Sequence, residues 1–333
     1  MHSLDSDFRL KKDPVDSLLE QFKLAQHEEV DRKTVRDKVK SSGHVINSIR
    51  PQTKPLRILT ADCSNAVREL RYTVLWAAHA VAVYAEFDGE KHPDELVGHS
   101  SIPYGNLMQS NYVGMGEIIP YEDVDLRANC ARVKFEFSSL NKASAELASE
   151  GVSQDLTIVD GSLYTNYKNL SENPGQYPEY SGAASEFKKL MGSGKVVGLV
   201  EDSHATDISR RLGFNFTNLL LFEIALDPCE YVSQSRDGVN ICYLKLPGKK
   251  LPHDPLPVSP PLTVRWEFNY PDFEDDLRNL VGIWLLEDDL LHPQLYPVRI
   301  ADYLTRRIRV SGIIEKVIDE QGLELKYREL RQG

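Results

Sequence analysis

Leu156-Thr-Ile-Val-Asp160-Gly-Ser-Leu163 reads as a short buried strand, an apolar run that ends on an acid just where Gly161 and Ser162 let the backbone turn. A second string has the same build: Leu56-Arg-Ile-Leu-Thr-Ala-Asp62-Cys-Ser64. Each carboxylate is expected at a strand end, so two such strands lying side by side would bring Asp62 and Asp160 together. Paired carboxylates in a cleft repel one another unless a proton or a hard divalent cation held by oxygen ligands neutralises them. Taken singly, either string is also ordinary cap and turn chemistry, in which Asp and Ser commonly serve.

Working outward from these strings, strand-like and helical runs alternate. After 56–61 come an apolar run over 73–87, a helix over 127–149, the strand 155–160, a helix over 178–191, a strand over 195–200 and a helix over 205–226. That alternation is α/β. Val239 to Leu246 and Leu262 to Phe268 read as two further strands flanking a proline-rich loop, and the chain from Phe273 onward reads as mostly helical. The polar, glycine-containing stretch from Asp88 to Asp125 carries no periodic signal and is expected to be a loop or insertion. Residues 1–55 form a separate unit, a helical amino-terminal arm with a rhythm in Val15, Leu18, Leu19, Phe22 and Leu24 that ends at Pro51 and Pro55. The main domain is then 56–333.

The chain has 333 residues, and an apolar content of 41% is enough for a real core. No apolar run is long enough for a membrane span, and the charged amino terminus lacks a signal-peptide core, so a cytoplasmic protein is expected. Cys63, Cys130, Cys229 and Cys242 are too scattered for a zinc site or a disulfide framework. A formal net charge of -11 argues against coating nucleic acid over the whole surface, while leaving room for local basic tracks. Such tracks are Arg306-Arg307-Ile308-Arg309, Arg210-Arg211 and Lys188-Lys189.

The helix over 127–149 offers a third acid. Val133, Phe137, Leu140, Ser144 and Leu147 share one face at helical spacing. At 100° per residue Glu136 falls about 60° from the centre of that face, at its boundary with solvent, whereas Glu146 lies on the far side. Glu136 is therefore the better partner for the two aspartates. A further apolar strand ends at Glu201-Asp202-Ser203-His204, where Asp202 and Ser203 suit the start of a helix. Near the carboxyl end Tyr296-Pro297 opens another helix, proline fitting a first turn whose amide hydrogen would go unpaired anyway. A tyrosine hydroxyl held there can bond a phosphate, and its ring can stack on a base or simply pack.

The ordered set of Asp62-Cys63-Ser64, the edge glutamate 136, Asp160-Gly-Ser-Leu163, the acids before Ser203 and Tyr296-Pro297 resembles the NurA nuclease family, from Leu56 to about Leu304. The resemblance implies an RNase H-like core, a mixed sheet flanked by helices. It also implies a manganese-dependent nuclease, with magnesium as the alternative ion, acting on DNA ends and single strands with 5′–3′ exonuclease and single-strand endonuclease activity. It implies a homodimer that docks on the hexameric DNA-translocating ATPase HerA. By the same resemblance Asp62, Glu136 and Asp160 are the metal-binding acids of a two-metal site, and Asp202 and Tyr296 join them in catalysis. Three positions depart from the pattern: Cys63 stands where glycine is typical, Glu201 where lysine is common, and Leu304 where a late histidine is expected. Asp302, Tyr303 and His292 are the nearby alternatives to that histidine. One consequence of Leu304 is a second reading, a weakened or inactive scaffold subunit that threads DNA on the ATPase. A sugar-kinase or actin-like ATPase is disfavoured, because Met191-Gly-Ser-Gly194 precedes a strand, where no phosphate loop belongs.

Overall fold

The computed structural model describes residues 31–70, 73–89, 104–118, 123–164, 177–200, 203–249, 261–287 and 293–321. Its centre is one mixed sheet of nine strands: β1 (Ile46–Ser48), β2 (Leu56–Glu69), β3 (Val74–Phe87), β4 (Tyr104–Ile118), β5 (Leu156–Asp160), β6 (Val196–Val200), β7 (Glu230–Arg236), β8 (Val239–Leu246) and β9 (Leu262–Phe268). They lie in the order β1-β7-β8-β9-β6-β5-β2-β3-β4. β2, β3 and β4 form an antiparallel meander, β5 and β6 run parallel to β2, and the remaining pairs are antiparallel. The described helices are α1 (Arg32–Ser41), α2 (Val124–Ser149), α3 (Pro178–Gly192), α4 (Asp207–Arg211), α5 (Asn218–Ala225), α6 (Glu274–Leu286), α7 (Tyr296–Arg306) and α8 (Val310–Gln321).

Strand alternation sends successive side chains to opposite faces, and two cores follow from it. Leu59, Ala61 and Val159 meet Phe137 and Leu140 of α2 and Phe187 of α3 on one face. Ile58, Ile158, Leu199 and Trp266 meet Leu277 and Leu280 of α6 and Val298 of α7 on the other. The result is the mixed sheet flanked by helices expected of an RNase H-like core. At the amino-terminal side Val35 and Val39 of α1 are fully buried in the first core, and β1 pairs with β7. The first 30 residues, including the rhythm from Val15 to Leu24, lie outside the described residues.

Two sequence expectations are corrected. Within the stretch expected as a loop, residues 104–118 form β4, hydrogen-bonded along β3. Most of its side chains face solvent, so it lacks the apolar alternation that announces a half-buried strand. The single helix expected over 205–226 is two, because Gly213 takes φ +82 between α4 and α5, a conformation glycine adopts at little cost. The carboxamide oxygen of Asn218 accepts the amide hydrogens of Ile208 and Ser209 at 3.1 and 3.0 Å, joining the two pieces. Among the described residues no helix is long and apolar enough to cross a membrane.

Candidate active site

Asp62 and Asp160 lie on neighbouring strands. β2 and β5 pair in parallel up to Ala61 opposite Val159, so the next residue on each strand is one of the two aspartates. Asp160 ends its strand as expected, but Asp62 does not. β2 continues to Glu69, and Asp62 is paired with Val81 of β3 in mid-strand. The antiparallel partner β3 supplies hydrogen bonds beyond the point where β5 stops, so the absence of glycine after Asp62 has no conformational cost.

Glycine is required on the other strand. After Asp160 the chain turns through Gly161 at φ +130 and folds over β6, where a Cβ on Gly198 would come within 2.7 Å of the Gly161 carbonyl oxygen. Glu267 of β9, fully buried, fastens this turn. It accepts from the Ser162 hydroxyl at 3.0 and 3.1 Å and from the Tyr164 amide at 2.7 Å, and it pairs with Arg265.

Both aspartates meet the segment that leads into and along α7. The Thr305 hydroxyl donates to Asp62, and the Gln294 amide donates to Asp160 at 3.2 Å. The buried face of α7 is Pro297, Val298, Ala301 and Thr305. Ile308 lies past the helix end and is exposed, and Leu304 is half-buried against Val81 and Val83. Turning that face to the sheet brings Thr305 to Asp62. Thr305 was missed because hydroxyls count as polar in a periodicity reading, although its spacing of four from Ala301 and seven from Val298 is helical.

Glu136 approaches from α2 and is 6% exposed. Arg132, one turn earlier, donates to it at 2.8 Å. Burial, opposed by Arg132 and reinforced by the negative charges of Asp62 and Asp160, pushes the Glu136 carboxyl up to about 7. Burial likewise raises Asp160 to about 6, with Asp62 and Asp302 adding to the shift. The three acids thus share one electrostatic neighbourhood, and Asp302 belongs to it. Of the alternatives to a late histidine, Asp302 is the one drawn to the site. Tyr303 is 55% exposed, and His292 lies outside the described residues. Glu146, the rejected glutamate, is exposed and accepts from Tyr112 at 2.7 Å.

Tyr296 follows, by two residues, the Gln294 that bonds Asp160. It begins α7, about 13 Å along the axis from Thr305 at 1.5 Å per residue. Its ring stacks on Tyr104 with centroids 6.1 Å apart, and its amide donates to Glu287 at 2.7 Å. Glu287 is 4% exposed and also receives the Tyr104 hydroxyl at 2.9 Å and Arg299 at 2.9 Å. Nothing in the sequence pattern singled out Glu287. Asp202 lies outside the described residues.

Among the described residues no three His, Cys, Asp or Glu side chains stand close enough together to form a metal cage. The donor chemistry nevertheless suits a hard divalent cation. Asp62, Asp160 and Glu136 offer carboxylate oxygens, and burial, with the neighbouring negative charges, holds two of the three toward protonation. A cation would relieve that repulsion.

No protein-family profile and no curated protein matches the sequence. Among solved structures the chain is similar to the NurA nuclease from Sulfolobus solfataricus, at 12% identity and a TM-score of 0.55, covering 92% of this chain and 97% of that one. A crystal structure of NurA matches at 10% identity and a TM-score of 0.53, covering 95% and 98%. NurA with manganese matches at 10% identity and a TM-score of 0.51, covering 92% and 96%. At such identities the likeness is one of fold, and over nearly its whole length this chain has the fold of the NurA nucleases.

Proposed function

We propose that this chain is a metal-dependent DNA nuclease that processes DNA ends and single strands. The observation that carries the reading is the pairing of Asp62 and Asp160 at one level of adjacent parallel strands, with Glu136 in their electrostatic field. Asp62, Asp160 and Glu136 would hold divalent ions, manganese or magnesium. Bound there, such ions lower the pKa of a water and stabilise the charge that develops on a scissile phosphate.

The chain's own residues prepare that site. Thr305 orients Asp62, Gln294 orients Asp160, and Arg132 orients Glu136 and partly offsets the cost of its burial. Asp302, paired with Arg306 at 2.6 Å, supplies a further carboxylate in place of the late histidine. Arg306, Arg307 and Arg309 follow Thr305 at the end of α7, a basic track suited to the strand's phosphates. Tyr296, at the other end of the helix, is assigned to stacking on or hydrogen-bonding the same strand, and Asp202 to the acidic cluster. In the same reading the chain works as a homodimer docked on a HerA-type hexameric ATPase.

Asp62→Asn and Asp160→Asn should each abolish manganese-dependent cleavage of single-stranded DNA without unfolding the protein. Cleavage retained in the double variant would overturn the assignment. The scaffold reading draws on Leu304, which packs against Val81 and Val83 and offers no group for proton transfer. A purified protein that stays inactive with manganese, both alone and with the ATPase, would favour it.

A further inference from the structure

A second polar cleft, of about 410 Å³, opens beside the turn that follows Asp160. Tyr164, His204, Arg210, Arg236 and Arg265 line it. Three guanidinium groups there face one carboxylate, Asp207. Arg265 is the least expected of them, because it is 5% exposed on a strand. Its Nη1 donates to Ser203 Oγ at 3.3 Å and its Nη2 pairs with Glu267, while its Nε finds no partner among the described residues. A buried guanidinium with an unpaired donor is costly, and an anion seated in the cleft beside it would offset its charge.

Glu267 neutralises Arg265 only in part, since its oxygens also hold Ser162 and the Tyr164 amide. Arg236 pairs with Asp207 at 2.5 Å, but Asp207 also receives the Asn218 amide at 2.7 Å. Arg210 is exposed and has no ion pair among the described residues. The surroundings are accordingly electropositive: after burial, the charges of Arg211 and Arg236 hold the nearby His44 below its usual value. Two tyrosines complete the walls, with Arg236 6.0 Å from the ring centroid of Tyr164 and Arg265 5.9 Å from that of Tyr243. Guanidinium forks beside aromatic faces suit phosphate together with its nucleoside.

The sheet fixes how far this cleft lies from the acids. Asp160 pairs with Leu199, and on the far side of β6 Val200 pairs with Arg265. Two strand spacings separate Asp160 from Arg265, about 10 Å. Arg265 and Glu267 alternate with Trp266, which packs in the core beside α6, so both point to the face that carries α2, whereas Asp160 follows Val159 of that core and turns to the α7 face at the end of its strand.

We propose that this cleft is a phosphate subsite for the bound DNA strand, gripping a backbone phosphate beyond the acidic site. This rests on the nuclease reading for the identity of the strand. The test is fluorescence anisotropy of labelled thymidine oligonucleotides in EDTA, where no metal-dependent cleavage occurs. Arg210→Gln and Arg236→Gln should each weaken an octanucleotide about tenfold and lower the salt slope by about one. A dinucleotide, too short to span both sites, should bind wild type and variants alike. Arg236→Lys, which keeps the charge, should recover part of the loss, and circular dichroism should show each variant folded.

Unchanged octanucleotide affinity and salt slope in folded Arg210→Gln and Arg236→Gln would overturn the proposal. So would thymidine monophosphate binding as tightly as the octanucleotide, which would make the cleft a mononucleotide site, and so would a wild type that binds no oligonucleotide. Wild type that binds in this arginine-dependent way but never cleaves with manganese defeats the nuclease reading and leaves the subsite standing. Normal cleavage together with arginine-independent binding defeats the subsite alone.

Discussion

Glu136 makes the metal-free protein lose stability as the pH rises. Its carboxyl is raised in the folded state from the ordinary 4.5 to about 7, chiefly by burial. Between those values the folded state binds more protons than the unfolded one, so unfolding free energy falls as pH increases. The penalty is absent below about 4.5 and complete above about 7. At 1.36 kcal/mol per unit it amounts to roughly 3 kcal/mol, and because the side chain is 6% exposed no large discount for solvent screening applies. For a chain of this size that corresponds to about 6 °C in Tm. Urea unfolding followed by tryptophan fluorescence in EDTA, at steps from pH 5 to pH 8, measures it. Wild type should lose roughly 3 kcal/mol more across that range than Glu136→Gln, which cannot ionise. Added manganese at pH 8 should restore most of the difference in wild type and little in the variant. A wild-type profile no steeper than that of Glu136→Gln would refute the reasoning.

Three further outcomes follow from the contacts around the acids. Gly198→Ala puts a Cβ 2.7 Å from the Gly161 carbonyl oxygen, so it should lose about 1–3 kcal/mol in thermal unfolding and most metal-dependent cleavage, by displacing the Asp160 turn. Thr305→Val removes the donor to Asp62 at nearly constant volume and should raise the manganese concentration needed for half-maximal cleavage by about 10- to 100-fold, read from a metal titration. Glu287→Gln replaces the carboxylate that accepts from Arg299, the Tyr104 hydroxyl and the Tyr296 amide and should destabilise by about 1–3 kcal/mol, seen as a lower Tm.

What the sequence discloses here depends on how local the cause is. The strand before Asp160, its glycine turn and the helical face of Phe137, Leu140 and Leu147 are set by neighbours in the chain, and the structure has them as expected. The extent of β2 past Asp62 is set by a distant partner, β3, and no local pattern announces it. β4 escaped notice for a related reason, since backbone pairing with β3 holds it together while most of its side chains face water. Around the acids the carboxylates were legible and their supports were not. Thr305, Gln294 and Glu287 act across separations in sequence of more than a hundred residues or through a backbone amide, while Arg132, at helical spacing from Glu136, was available to be read and was passed over.

Asp62 sits inside a long strand that β3 pairs on past it, whereas Asp160 is the last residue before a glycine turn that the buried Glu267 helps to fasten. The two acids are therefore secured differently, Asp62 by the sheet itself and Asp160 also by a turn whose closure draws on a side chain two strands away.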